Sequence, residues 1–338
     1  MTRLTDVFAR EPLDNVIRYA NAPGHIESWF LRANDPSRPR AFWLKQTILA
    51  PLTGPAVAES WFIWFDGERK TTIAQKVTQP LTDASFGDVD VVTRAMTLHL
   101  GEAGHARGAV DAPEGTVRFD VSFRPESSPC ARPLSMLPWK LLRTGPFPKS
   151  KLLTPFPFLR FSGSLALPGE TVSIDGWNGM QGHNWGKEHT FEYAWGQCLF
   201  PAEDAMLEGF SARVRVAGRT TPRLSALVVQ KGARSYRFNR IFDAWRQQAT
   251  LDADRWTLAV RGDDGEATLS MDASKQPMVC LGYDNPNGEH SYCFNSKLAA
   301  VELTVRPSDG ASFTLQSAHG GALEFLRRQP DPRFTRVV

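Results

Sequence analysis

The stretch VAESWFIWF (57–65) carries large apolar side chains on both faces of an extended chain. Strand side chains alternate, so Trp61, Ile63 and Phe65 share one face and Phe62 and Trp64 the other. A strand walled in on both sides belongs either to a barrel wall that packs outside and lines a cavity inside, or to a sandwich core. Working outward, similar short runs rich in aromatic and β-branched residues recur between Gly, Pro, Asp and Asn. They lie at 27–33, 41–49, 94–100 and 116–123, and again at 161–167, 191–200, 211–218, 223–230 and 235–241. No long helical periodicity falls among them, so the chain reads as all-β. Its 338 residues suit two domains of ordinary size. The expected division is 1–126, a Pro-rich basic linker at 127–162, and 163–338.

Composition narrows the function classes. Apolar residues are 42% and charged residues 22%, the balance of a folded globular chain rather than a disordered or fibrous one. Lys plus Arg (39) against Asp plus Glu (36) leaves +3, too small a surplus to suggest nucleic acid as a partner. The first residues have no apolar signal-peptide core and no stretch is long enough to span a bilayer, so a cytoplasmic protein is expected. The four cysteines, Cys130, Cys198, Cys280 and Cys293, show no metal-finger or CxxC spacing, so free thiols are expected. No GxGxxG, Walker loop or GxSxG occurs, leaving nucleotide and serine-hydrolase chemistry without support. The linker core LPWKLLRTGPFPKSKLLTPFPFLRF is both hydrophobic and basic. That pairing suits peripheral membrane contact through 132–161 or the mouth of a lipid pocket, although its prolines equally suit a connector packed between domains.

The segment GWNGMQGHNWGKEHTFEYAWGQ (176–197) concentrates His183, Asn184, Trp185, Glu188, His189, Tyr193, Trp195 and Gln197 among closely spaced glycines. Glycines at this density suggest bends or close backbone approach. In the strand that follows, Tyr193, Trp195 and Gln197 share a face opposite the small Ala194, Gly196 and Cys198. A large aromatic and amide face suits a ligand wall. His183, flanked by glycines and tied to Asn184 and Trp185, is the candidate catalytic imidazole. His183, His189 and Glu188 have no metal-site spacing, and no metal is expected.

Gly182-His183-Asn184-Trp185-Gly186 with Tyr193-Ala194-Trp195-Gly196-Gln197, preceded by Ile26-Glu27-Ser28-Trp29-Phe30, resembles the superfamily of carotenoid 1,2-hydratases, AttH-like proteins and tocopherol cyclases. The resemblance implies two lipocalin-like antiparallel β-barrel domains in tandem. It also implies acid-initiated hydration, cyclisation or isomerisation of an isoprenoid or polyene-like substrate, the work of a lyase or an isomerase, without a cofactor. Such chemistry needs a shielded acid, aromatic faces or amides to stabilise a carbocation, and a base or oriented water. The resemblance would give catalysis to His183 with Glu27 or Glu188, and substrate contact to Asn184, Trp185, His189, Tyr193, Trp195, Gln197 and Trp29. The chain departs from the hydratase pattern at one point: Gln181-Gly182 stands where a His-Asp pair is usual. The alternative expectation is a non-catalytic carrier of a hydrophobic small molecule using the same cavity.

Overall fold

The computed structural model describes residues 14–216 and 218–338. Residues 1–13 of the expected N-terminal unit, and residue 217 of the expected strand at 211–218, lie outside the described residues. The chain is nearly all β, 61% strand and 4% helix, in curled antiparallel sheets that form half-barrels.

Among the described residues the first sheet runs in the order Thr71–Pro80, Val57–Asp66, Arg40–Ala50, His25–Asn34, Asn178–Gly186, Ser150–Leu167, Gly115–Pro125, Gly104–Ala112 and on through three short strands. The second has Arg234–Phe238, Leu224–Lys231, Ala205–Arg213, Glu192–Phe200, Phe313–Arg327, His290–Pro307, Gly265–Asp272, Arg255–Gly262 and Gln248–Leu251 in that order. The two-faced strand at 57–66 is thereby explained. Phe62 and Trp64 enter the core of the first sheet with Trp29, Phe42, Phe119 and Trp177. Trp61, Ile63 and Phe65 point the other way, into a cluster with Trp43, Trp195 and Tyr283 that fills the space between the two sheets. Each such side chain contributes roughly 1.5–3 kcal/mol on burial. Arg32, fully buried, ties the sheets together: its guanidinium donates to Asn34 Oδ1 (2.5 Å), Gly320 O (3.2 Å) and Gln197 O (3.3 Å).

The boundary expected at 127–162 is corrected in two respects. Ser150–Leu167 is one strand of the first sheet, not a linker. Its prolines, Pro155 and Pro157, coincide with register shifts between Leu153 and Phe156 and between Phe156 and Leu159, where the missing N–H of proline is tolerated. The HNWG segment also lies in the first sheet rather than with 163–338. Asn178–Gly186 pairs with His25–Asn34 on one side and Ser150–Leu167 on the other. The glycines there mark close packing rather than bends. A Cβ at Gly182 would sit 2.2 Å from the Phe30 ring, so only glycine lets Phe30 lie flat against this strand.

All four cysteines are buried and free. No described helix is long and apolar enough to cross a membrane.

Candidate functional site

Strand alternation divides the conspicuous residues between two places. Trp29 lies opposite His183 and Glu27 opposite Trp185, and alternation turns these four to one side of the first sheet, with Trp185, near the strand end, also bordering the cavity on the other. Asn184 and Phe30 point to the other, toward the second sheet.

On the first side, Glu27 and His183 are completely buried, with His183 Nε2 and Glu27 Oε1 2.8 Å apart. The second Glu27 oxygen meets His25 Nε2 at 3.0 Å, and the Arg18 N–H donates to Oε1 (2.8 Å). His183 Nδ1 faces Asp14 O at 3.3 Å, and its ring stacks on Trp29 with centroids 4.9 Å apart. Trp185 closes the other side of the imidazole at 4.9 Å and carries the Arg18 guanidinium over its own ring at 5.4 Å. Trp29 Nε1 donates to Asn15 O (2.9 Å) and Gln181 Nε2 to Asn15 Oδ1 (2.8 Å). Both His183 nitrogens therefore face acceptors, and the cluster holds the 14–18 segment against the sheet.

Burial pushes the Glu27 carboxyl up, but hydrogen bonds from His183 and His25, the His183 charge and the Arg18 N–H together hold it below its ordinary value of 4.5. A depressed acid contributes stability above its unfolded value, and that stability is lost as pH falls through the folded value. The midpoint of urea unfolding is therefore expected to decline below about pH 4.5, and Glu27→Gln is expected to flatten that acid limb. An unchanged limb in the variant would assign the decline to other carboxylates.

On the second side a cavity of about 280 Å³ opens between the sheets. Phe30, Trp43, Tyr193, Trp195, Phe210 and Tyr283 give it aromatic walls, and Asn184, Glu188, His189, Lys45 and Glu324 supply polar groups. Residues from 136 to 148, including the turn of helix at Lys140–Thr144, form its rim. Burial pushes the His189 imidazole down to about 3, with Lys45 and Arg328 adding to the effect. Its ring meets Tyr283 edge-on at 4.9 Å, and its backbone N–H donates to Asn285 Oδ1 (2.8 Å). Glu188 pairs with Lys149 (3.1 Å), and Glu324 with Lys297 (2.5 Å). Gln197 is fully buried and donates to Pro157 O (3.3 Å).

The sequence did not point to Glu208, two residues before Phe210 on the same strand face. It accepts from Trp195 Nε1 (3.1 Å) and Thr154 Oγ1 (2.7 Å), and burial pushes its carboxyl up to about 7 against those bonds. Lys45 was missed as well, although its alternation with Trp43 in AFWLKQTIL placed an ammonium on an aromatic face. Among the described residues no group of three or more His, Cys, Asp or Glu is placed to hold a metal. Gly182→Val is expected to drive the Phe30 ring into the cavity, at a cost of about 1–3 kcal/mol from overpacking, and to weaken ligand retention at least tenfold. Unchanged retention of a bound apolar probe would place the ligand elsewhere.

A lipocalin-like all-β fold with a cavity between two curled sheets sets the class, and solved structures share it over nearly the whole chain. A Nitrosomonas europaea protein assigned as an AttH covers 90% of this chain and 92% of its own, with TM-score 0.58 and 13% identity. Kievitone hydratase from Nectria haematococca covers 89% and 88%, with TM-score 0.54 and 11% identity. Both are of the superfamily that the HNWG and aromatic-Trp-Gly motifs resemble. Identities this low carry the fold alone. An uncharacterized protein, found in each of two strains of Mycobacterium tuberculosis, is 23% identical over 292 residues, 85% of this chain and 83% of the relative. No family model matches the chain.

Proposed function

We propose that the protein is an enzyme of hydratase type that admits a hydrophobic, isoprenoid or polyene-like molecule to the cavity between the sheets and adds the elements of water to a double bond. The observation that carries this reading is the cavity itself: enclosed by aromatic rings, yet bordered by a half-buried imidazole and backed by a buried acid. The likeness in fold to a hydratase supports it. In the proposed step a substrate carbon takes a proton originating at Glu208, water oxygen bonds to the neighbouring carbon, and neutral His189 takes the proton that water releases. The proton on His189 then returns through solvent to the Glu208 carboxylate, so no net charge is left behind and no organic cofactor is consumed. Trp195, hydrogen-bonded to Glu208 and facing the cavity, must turn aside for the first transfer. Incubation in H₂¹⁸O tests the reaction: product oxygen is expected to carry the label, and unlabelled product would end the hydratase reading.

One observation favours the second reading, a carrier: the hydrogen-bonded Glu27–His183 pair faces away from the cavity, which leaves the walls without a tightly coupled acid and base. Its distinguishing result is a retained lipid of unchanged mass.

We further propose that the 132–161 region forms a membrane-facing portal. Phe147 is half exposed at the cavity rim, Leu141 is half exposed next to the rim residue Leu142, and Phe242 stands beside Trp139 at 70% exposure. The double variant Leu141→Asp with Phe147→Asp is expected to lose flotation with anionic phosphatidylglycerol vesicles. Equal flotation of variant and parent would remove the portal.

A further inference from the structure

Lys45 stands apart from the other buried cations. It lies on the strand Arg40–Ala50, is 4% exposed, and lines the cavity. Its Nζ sits 4.1 Å from the centroid of Tyr283, 5.5 Å from Trp61 and 5.6 Å from Trp43. No hydrogen bond or ion pair of its Nζ occurs among the described residues; the ring faces are its neighbours. The other lysine on the wall, Lys151, donates to Pro148 O (2.6 Å). The nearest acids are already engaged, Glu59 with Lys76 (3.4 Å) and Glu324 with Lys297 (2.5 Å). Burial lowers the Lys45 ammonium from its ordinary value, only partly offset by the charges of Glu59 and Glu324.

A buried ammonium with only ring faces for company has lost most of its hydration, and three N–H donors remain for an acceptor that the described residues do not supply. One free cation matches one negative charge. We infer that the ligand of this cavity is an apolar molecule ending in a single carboxylate, which pairs with Lys45 Nζ while its body lies against Trp43, Phe30 and Trp195. This inference rests on the cavity being the ligand site and deepens that reading by naming the substrate class. A phosphate dianion would leave one charge unmatched.

Isothermal titration with decanoate and with decanol separates the two levels of the claim. The intact protein is expected to bind decanoate at least tenfold more tightly than decanol. Lys45→Met is expected to abolish that preference, to leave decanol affinity within about threefold, and to raise Tm because an unpaired buried charge is gone. Lys45→Arg keeps the charge and is expected to keep most of the preference; should the methionine variant not fold, this comparison still decides. Equal affinity of the intact protein for both probes would overturn the carboxylate inference while leaving the cavity as an apolar site. Persistence of the preference in Lys45→Met would assign it to another cation and overturn the role of Lys45. Failure of both probes to bind would overturn the cavity reading and this inference with it.

Discussion

Replacing His183 by alanine is expected to cost about 1.5–3 kcal/mol of stability, the range for losing a buried hydrogen bond to a charged group. The Glu27 carboxyl is completely buried and would keep only His25 and the Arg18 N–H as partners. The Trp29 and Trp185 rings would lose the imidazole each contacts at 4.9 Å. The 14–18 segment would lose one of its attachments, the approach of His183 Nδ1 to Asp14 O. Urea unfolding checks the size of the effect. Glu27→Gln is expected to destabilise in the same direction, and the double variant by much less than the sum, because both changes break one network. Affinity for decanol, measured on folded protein, is expected to be unaffected, since the pair points away from the cavity. A His183→Ala protein of parental stability that had lost turnover would instead make His183 catalytic.

His189→Ala is the change expected to act on chemistry. Removal of a positioned general base typically lowers the rate by 10²–10⁴-fold. It lines the cavity, and desolvation holds its ring neutral down to about pH 3, so the proton-accepting form is present throughout the neutral range. The rate of the parent protein is therefore expected to show no acid limb near 6.5. It is expected to fall on the alkaline side as pH rises through about 7, where Glu208 loses the proton that starts the reaction. Kinetics across pH 5–9 would show this, with Glu208→Gln removing the activity whose limb is being followed. Full activity in His189→Ala would exclude it as the base.

The fold was largely legible in the residues because strand alternation and turn residues are local signals. VAESWFIWF announced burial on both faces, although only the structure shows which neighbour covers each: the first sheet's own core for Phe62 and Trp64, the second sheet for Trp61 and Ile63. What misled were the prolines. Pro155 and Pro157 read as a linker because a bulge that tolerates proline depends on the partner strand; the glycines left bends or close approach open, because the groups that Gly179 and Gly182 admit, Arg32 O and the Phe30 ring, come from distant sequence. The site was half legible. Alternation, applied to His183 and Asn184 as it was to Tyr193 and Trp195, already separates them onto opposite faces. Glu208 and Lys45 carried no motif, since what marks them is burial of an ionisable group beside aromatic rings, a property of assembled sheets.

The most direct test is mass spectrometry of the organic extract after the purified protein has been incubated, in deuterated water, with neutral and acidic lipids of its source cell. If the cavity hydrates a hydrophobic molecule, one recovered lipid gains the mass of heavy water with deuterium on carbon, and neither Gly182→Val nor His189→Ala yields it. A lipid enriched by the protein but unchanged in mass would contradict catalysis, and an extract with no enriched lipid would contradict the cavity as a ligand site.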